Sequence, residues 1–138
     1  MQLSPAAALQ VSEFVLGLHL AVIAFNVFGL VAVPLGAWRR WSWVRVRGWR
    51  LLHVAALSLV ALQALLGDDC FLTLWESELL RAAGRQGYVA PFIQTWVDRL
   101  IYWNLPMAFF TALYVAIWIY ALALWHWVPP ARKASRPR

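Results

Sequence analysis

The sequence predicts an all-α fold of the membrane-embedded kind. It reads as a polytopic bundle of three transmembrane helices, with an amphipathic interfacial helix-loop-helix between the second and third. Three observations carry this. Apolar residues make up 63 % of the 138-residue chain and charged residues only 13 %, against roughly 25 % charged in soluble domains. Three long stretches are almost free of charge, and the charges between them sort by sign. A soluble chain this short has too little interior to hide so much apolar surface, so lipid is the solvent for much of it.

The first span covers residues 14 to 38, FVLGLHLAVIAFNVFGLVAVPLGAW, which contains no charge. At 1.5 Å per residue it exceeds a hydrocarbon core of about 30 Å. Ser4 or Ser12 can cap its start, and Pro34 is expected to kink it or end it early. The chain does not open like a cleavable signal peptide, because its basic run follows the apolar stretch. Next comes RRWSWVRVRGWR, residues 39 to 50, with five arginines, three tryptophans and no acid. Indoles lie well at a headgroup layer and guanidiniums on phosphate, so Arg39, Arg40, Arg45 and Arg47 are expected to grip lipid headgroups.

The second span, residues 51 to 67, is only about 25 Å long and must stand nearly upright or thin the bilayer. Asp68 and Asp69 close it. The segment 68 to 103 then holds Asp68, Asp69, Glu76, Glu78 and Asp98, five of the six acids. Thr73 with Glu76 reads as a capping box opening a helix, and Gly84 and Gly87 terminate it. Leu72, Trp75, Leu79 and Leu80 recur at helical spacing, so this helix is expected to lie on the membrane surface. Pro91 opens another helix with an apolar stripe of Phe92, Ile93, Trp96, Val97, Leu100 and Ile101. The third span covers residues 104 to 127, with a kink expected at Pro106. Residues 1 to 128 thus form one transmembrane domain, followed by a basic tail, 129 to 138, expected to be disordered.

Residues 39 to 50 and the tail are purely basic, whereas 68 to 103 mixes acids with Arg81, Arg85 and Arg99. The positive-inside rule places both basic segments in the cytoplasm and the N-terminus and acidic segment outside. Three crossings satisfy this sorting. The expected location is a bacterial inner membrane. A net charge of +6 can signal nucleic acid, but these clusters flank apolar spans, so nucleic acid is not an expected partner.

Polar residues inside spans are costly and often functional. His19, Asn26 and Gly29 share one face of span one, as either a packing seam or a ligand site, the seam being favoured. In span two, His53, Val60 and Gly67 recur at sevenfold spacing with Ala56 and Gln63 between. Asn104, Thr111, Trp118 and Trp125 do so in span three. His19 near the outer end and His53 near the inner end lie about 15 to 20 Å apart along the membrane normal. They cannot ligate one iron, and His126 reads as interfacial, so the sequence requires no cofactor. The single cysteine, Cys70, rules out an internal disulfide and a multi-cysteine zinc site. His19, Cys70 and Glu76 are the candidate metal or acid–base set on the outer side. The simpler alternative is that Glu76 caps a helix, Arg81 pairs with Glu78, and Asp68 and Asp69 solvate a span end.

His19, Trp49-Arg50 followed by His53, Cys70-Phe71-Leu72-Thr73, Glu76, Leu80-Arg81, Gly84, Tyr88 and Phe92-Ile93 together resemble the domain-of-unknown-function family 2784, small bacterial membrane proteins with no assigned activity. The resemblance runs from about residue 18 to residue 120 and is clearest between 70 and 93. Phe71 stands where that family usually has proline after the cysteine, which loosens the turn expected there. The resemblance implies that His19, Arg50, His53, Cys70, Thr73, Glu76, Arg81 and Tyr88 are the first residues to test. The leading expectation is a non-enzymatic accessory or self-associating subunit, because so small a bundle leaves little volume for a substrate pocket. The rivals are a membrane enzyme or cofactor carrier using the outer cluster, and a lipid-handling or transport component.

Overall fold

The computed structural model describes residues 3–101 and 105–132. Its helices are α1 (Pro5–Trp38), α2 (Arg47–Leu66), α3 (Phe71–Ala82), α4 (Phe92–Ile101) and α5 (Met107–Trp127), with a 3₁₀ turn at Trp43–Arg45. Three of them, α1, α2 and α5, are long and apolar enough to cross a membrane. Asn104 and residues 133–138, most of the expected tail, lie outside the described residues.

Helix α1 begins earlier than expected, because Ser4 accepts from the Ala7 N–H and Pro5 occupies the first turn, where its missing N–H costs nothing. Ser12 lies inside the helix and donates to the Leu9 carbonyl instead. Thirty-four residues make a rod of about 51 Å, well beyond one hydrocarbon thickness. Pro34 does not end it; the helix continues for one more turn. It closes in a Schellman arrangement, with the Trp41 N–H on the Gly36 carbonyl and Arg40 at φ 59°. A non-glycine residue there carries backbone strain.

One stripe of α1 is buried along its length: Ala8, Ser12, Val15 and His19, then Asn26, Gly29, Val33 and Gly36. α3 packs extensively against α1, and α2 pairs with α5. Glycine is required twice where α1 meets the next segments. A Cβ on Gly29 would collide with the His53 ring, and one on Gly36 with Val44.

The span-two seam is corrected. The buried residues of α2 are Arg50, His53, Leu57, Ala61 and Ala64, while Gly67 is exposed and serves as the left-handed cap at φ 77°. A straight helix drifts against a strict seven-residue repeat, so the stripe follows spacings of three and four from Arg50. In α5 the expected stripe does face α2. Thr111 donates to the Ala64 carbonyl at 3.4 Å and Trp118 Nε1 to Ser58 Oγ at 2.8 Å. Trp125 lies under the Arg50 guanidinium. Pro106 does not kink this helix. It stands at the N-cap of α5, where the lack of an N–H is harmless.

The capping box is also corrected. α3 starts at Phe71 with Cys70 at its N-cap, so Thr73 and Glu76 are inside the helix. Both are buried, with Leu72 and Ser77, whereas Trp75 is 63 % exposed and Phe71 and Leu74 are open as well. The helix thus buries Thr73, Glu76 and Ser77 beside Leu72, leaves Leu79 and Leu80 half-buried, and turns Trp75 of the expected apolar stripe outward. In lipid that inversion is favourable, because the surrounding solvent is apolar and polar groups seek protein. Gly84, at φ 75°, ends the segment as expected, with the Arg85 N–H on the Leu80 carbonyl.

Candidate functional site

The two ends of the bundle are built differently. At the basic end, where α1, the 3₁₀ turn and the C-terminus of α5 meet, Arg50 is only 1 % exposed. Its Nη1 donates to the carbonyls of Val44 (3.2 Å) and Val128 (3.0 Å), and its Nη2 to that of Leu124 (3.1 Å). These last two carbonyls stand at the end of α5, which carries partial negative charge, and that of Leu124 also accepts from the Val128 N–H. Next to it, His53 Nε2 lies 2.9 Å from the Asn26 carbonyl, and Trp49 Nε1 donates to the Trp43 carbonyl at 2.9 Å. The Ala131 N–H reaches the Arg45 carbonyl, so the first tail residues dock here. Arg39, Arg40, Arg45 and Arg47 stay exposed.

At the opposite, acidic end, α1 separates from the α2–α5 pair and leaves a cavity of about 240 Å³. Val22, Ile23, Leu57, Val60, Phe110 and Ile117 form much of its wall. At its polar end stand His19, Asp68, Asp69, Cys70 and Thr73, contributed by α1, the α2–α3 turn and α3. Phe92 of α4 closes against His19, with ring centroids 4.7 Å apart. The volume exceeds the roughly 150 Å³ of an apolar cavity that takes up benzene.

Four polar side chains lining this space have a buried atom with no hydrogen-bond partner among the described residues: His19 Nδ1, Asn26 Oδ1, Gln63 Oε1 and Thr73 Oγ1. His19 is 5 % exposed, Asn26 7 % and Thr73 1 %. Buried polar atoms are normally paired, and one left unpaired costs about 1 to 3 kcal/mol. Glu76 Oε2, Gln94 Oε1 and Asp98 Oδ1 are unpartnered too, away from this cavity, so what singles out the site is the apolar chamber with polar side chains at one end.

Of the candidate metal set, His19 and Cys70 line the same cavity and Glu76 does not. Glu76 accepts from the Tyr88 hydroxyl at 2.8 Å, while Ser77 Oγ accepts from the Tyr88 N–H at 3.0 Å. Among the described residues no group of three or more His, Cys, Asp or Glu side chains is placed to hold a metal ion. Glu76 therefore does not cap α3; it anchors the loop that returns from α3 to α4. Burial raises its carboxyl above the ordinary range against the opposing pull of the Tyr88 bond. Burial and the bond to Glu76 push the Tyr88 hydroxyl upward too. Asp69 is raised by burial and by its neighbour Asp68. Burial likewise raises the Cys70 thiol, so little of the nucleophilic thiolate is present at neutral pH. Arg81 pairs with Glu78 on the open side of α3, and His126 is exposed.

Sequence reasoning named His19, Asn26 and Cys70, and read Asp68 and Asp69 either as part of an outer acid–base cluster or as solvating a span end. It placed Gln63 only in a packing seam and did not single out Phe110, which lies on α5 far from the acidic turn in sequence. The family model described as Protein of Unknown function (DUF2784) matches residues 10–130, and the chain belongs to that family. No curated protein and no solved structure matches it.

Proposed function

With that family as the premise, we propose that this chain is an integral membrane protein that binds a small amphipathic molecule in the cavity at its acidic end. The chamber of about 240 Å³, apolar along its walls and polar at the end formed by His19, Asp68, Asp69, Cys70 and Thr73, carries the reading. Such a chamber accepts a hydrocarbon tail by dispersion and burial, and a polar head by hydrogen bonding. Most of its wall comes from three helices apolar enough to cross a membrane, so a molecule already dissolved in lipid has a short path to it. The location is a bacterial inner membrane with the basic end in the cytoplasm. Arg39, Arg40, Arg45 and Arg47 hold anionic headgroups on that side, each contributing about 1 kcal/mol near a charged surface. In this arrangement the cavity opens toward the outer leaflet.

This lipid-handling role is preferred to that of an accessory subunit, which rested on the expectation of little internal volume. It is preferred to a metal-dependent enzyme because His19, Cys70 and Glu76 do not converge. The test is to purify the full chain in mild detergent, extract it with organic solvent and identify small molecules by mass spectrometry. A stoichiometric amphiphile is expected, lost when the chamber is filled by Val60→Trp or Ile117→Trp. Retention of the same molecules by both filled variants would contradict the reading, as would an empty protein that instead co-purifies with a fixed partner subunit.

A further inference from the structure

The chamber has a floor. Toward the basic end, α1 closes on both α2 and α5. The His53 ring fills the place where a Cβ on Gly29 would stand, and its Nε2 lies 2.9 Å from the Asn26 carbonyl. On the other side, the Tyr120 hydroxyl donates to the Leu30 carbonyl at 3.4 Å. Further down, Val33, Leu124 and Val128 are buried together. The lowest side chains lining the space are Leu30 on α1, Leu57 on α2 and Ile117 on α5. Leu57 and Ile117 each stand one turn above His53 and Tyr120.

The depth above this floor follows from helical rise. His19 to Leu30 is about 17 Å along α1, and Met107 to Ile117 about 15 Å along α5. A fully extended chain advances about 1.2 Å per bond, as a polypeptide does at roughly 3.5 Å for three. The depth therefore admits about twelve to fourteen carbons in line. Volume sets a second limit. The six carbons of benzene occupy a cavity of roughly 150 Å³, so a space of about 240 Å³ holds about ten by the same scale. One chain meets both limits. Two chains of that length overfill the volume.

We infer that the chamber gauges length: it takes an amphiphile with a single chain of about ten to fourteen carbons and excludes lipids with two chains. This inference rests on the cavity being a binding site, and the two can fail separately. Inside a bilayer every competitor has an apolar tail, so burial of hydrocarbon alone does not discriminate. Shape does. A shorter chain leaves part of the lining without contacts, and a longer one is driven against Leu57 and Ile117, where packed walls yield little.

The experiment binds radiolabelled dodecanol to the full chain in a non-ionic detergent. Octanol, decanol, tetradecanol and octadecanol then compete at equal mole fractions in the micelle, which removes the stronger partitioning of longer alcohols. Competition is expected to peak between decanol and tetradecanol and to be about tenfold weaker for octadecanol, a loss of about 1.4 kcal/mol that overpacking a filled site readily produces. Dioleoyl phosphatidylcholine, with two chains, is expected not to compete. Ile117→Ala and Leu57→Ala lower the floor and should each move the peak about two carbons longer. Ile117 is only half-buried, so its variant keeps the fold even where truncating the buried Leu57 does not. If competition rises through octadecanol or is flat with length, if the two-chain lipid competes, or if Ile117→Ala leaves the peak in place, the gauge is overturned while the cavity reading survives. If dodecanol does not bind, or Val60→Trp binds it as well as the native chain does, both fall.

Discussion

At the basic end of the bundle, Arg50 makes three bonds to backbone carbonyls and His53 a fourth. At the acidic end, His19, Gln63 and Thr73 line a cavity, and each keeps a buried atom unpaired. Both ends bury polar groups in an apolar setting, where such groups are expensive. At the first the cost is offset within the fold, which makes those residues structural. At the second, buried polar atoms are left without a partner among the described residues. Polar residues in a membrane bundle are therefore best sorted by whether their bonds are complete, and not by residue type.

The largest break in this comparison comes at Arg50. Arg50→Ala takes the arginine donor from the Val128 carbonyl, leaves the Leu124 carbonyl with only the Val128 N–H, and removes a cation from the C-terminus of α5. A loss of about 3 kcal/mol is expected, read as a lower midpoint of thermal unfolding in detergent. Arg50→Lys keeps the charge without the planar fork and should lose less. An unchanged midpoint for Arg50→Ala would show that the basic end is not latched by this residue.

Gly29→Ala should cost roughly 2 kcal/mol by overpacking against His53. Adding His53→Ala to it should recover part of the loss, a non-additivity expected of residues in contact. Additive losses in that double-mutant cycle would place the two apart. A smaller effect of opposite sign is expected at Arg40, whose φ of 59° suits glycine. Arg40→Gly should raise stability by about 1 kcal/mol.

The smallest effect is a pH slope at the acidic end. Glu76 and Asp69 hold protons more tightly folded than their ordinary values of 4.5 and 3.8. The folded state therefore binds more protons than the unfolded one between those values and the raised ones. Stability is greatest below the ordinary values and falls as pH rises through that window, the reverse of a salt-bridged carboxylate. Unfolding followed across pH 4 to 7 (about the range of carboxyl titration) should show this decline, and Glu76→Gln with Asp69→Asn should flatten it. A decline that persists in the double variant would assign it to other groups.

Much of the scaffold was legible because lipid writes simple rules into a sequence. The three apolar runs had to be helices, since a spanning segment must satisfy its own backbone. Gly84 announced a helix end through its freedom at positive φ, and Thr111, Trp118 and Trp125 announced the α5 seam through their period. The α3 face was not legible. Leu72 is buried as its spacing suggested, but Glu76 turns inward and Trp75 outward, because a helix among lipids can expose apolar groups and bury polar ones, so amphipathicity alone does not choose. Nor was the cavity. His19, Gln63, Cys70, Phe92 and Phe110 belong to five segments, and only their packing shows that the space between them is open. The resemblance set Arg50 apart from its four basic neighbours, but only its burial and its three carbonyl partners show what it does.

Cys70 offers a direct view of the acidic end, because it is the chain's single cysteine and lines the cavity. The measurement is its labelling rate with a small uncharged thiol reagent, with and without the amphiphile dodecanol, in the native chain and in Val60→Trp. If the cavity is a binding chamber, the alcohol slows labelling in the native chain and has no effect once Val60→Trp fills the space. Equal slowing in both chains, or none in either, would contradict it.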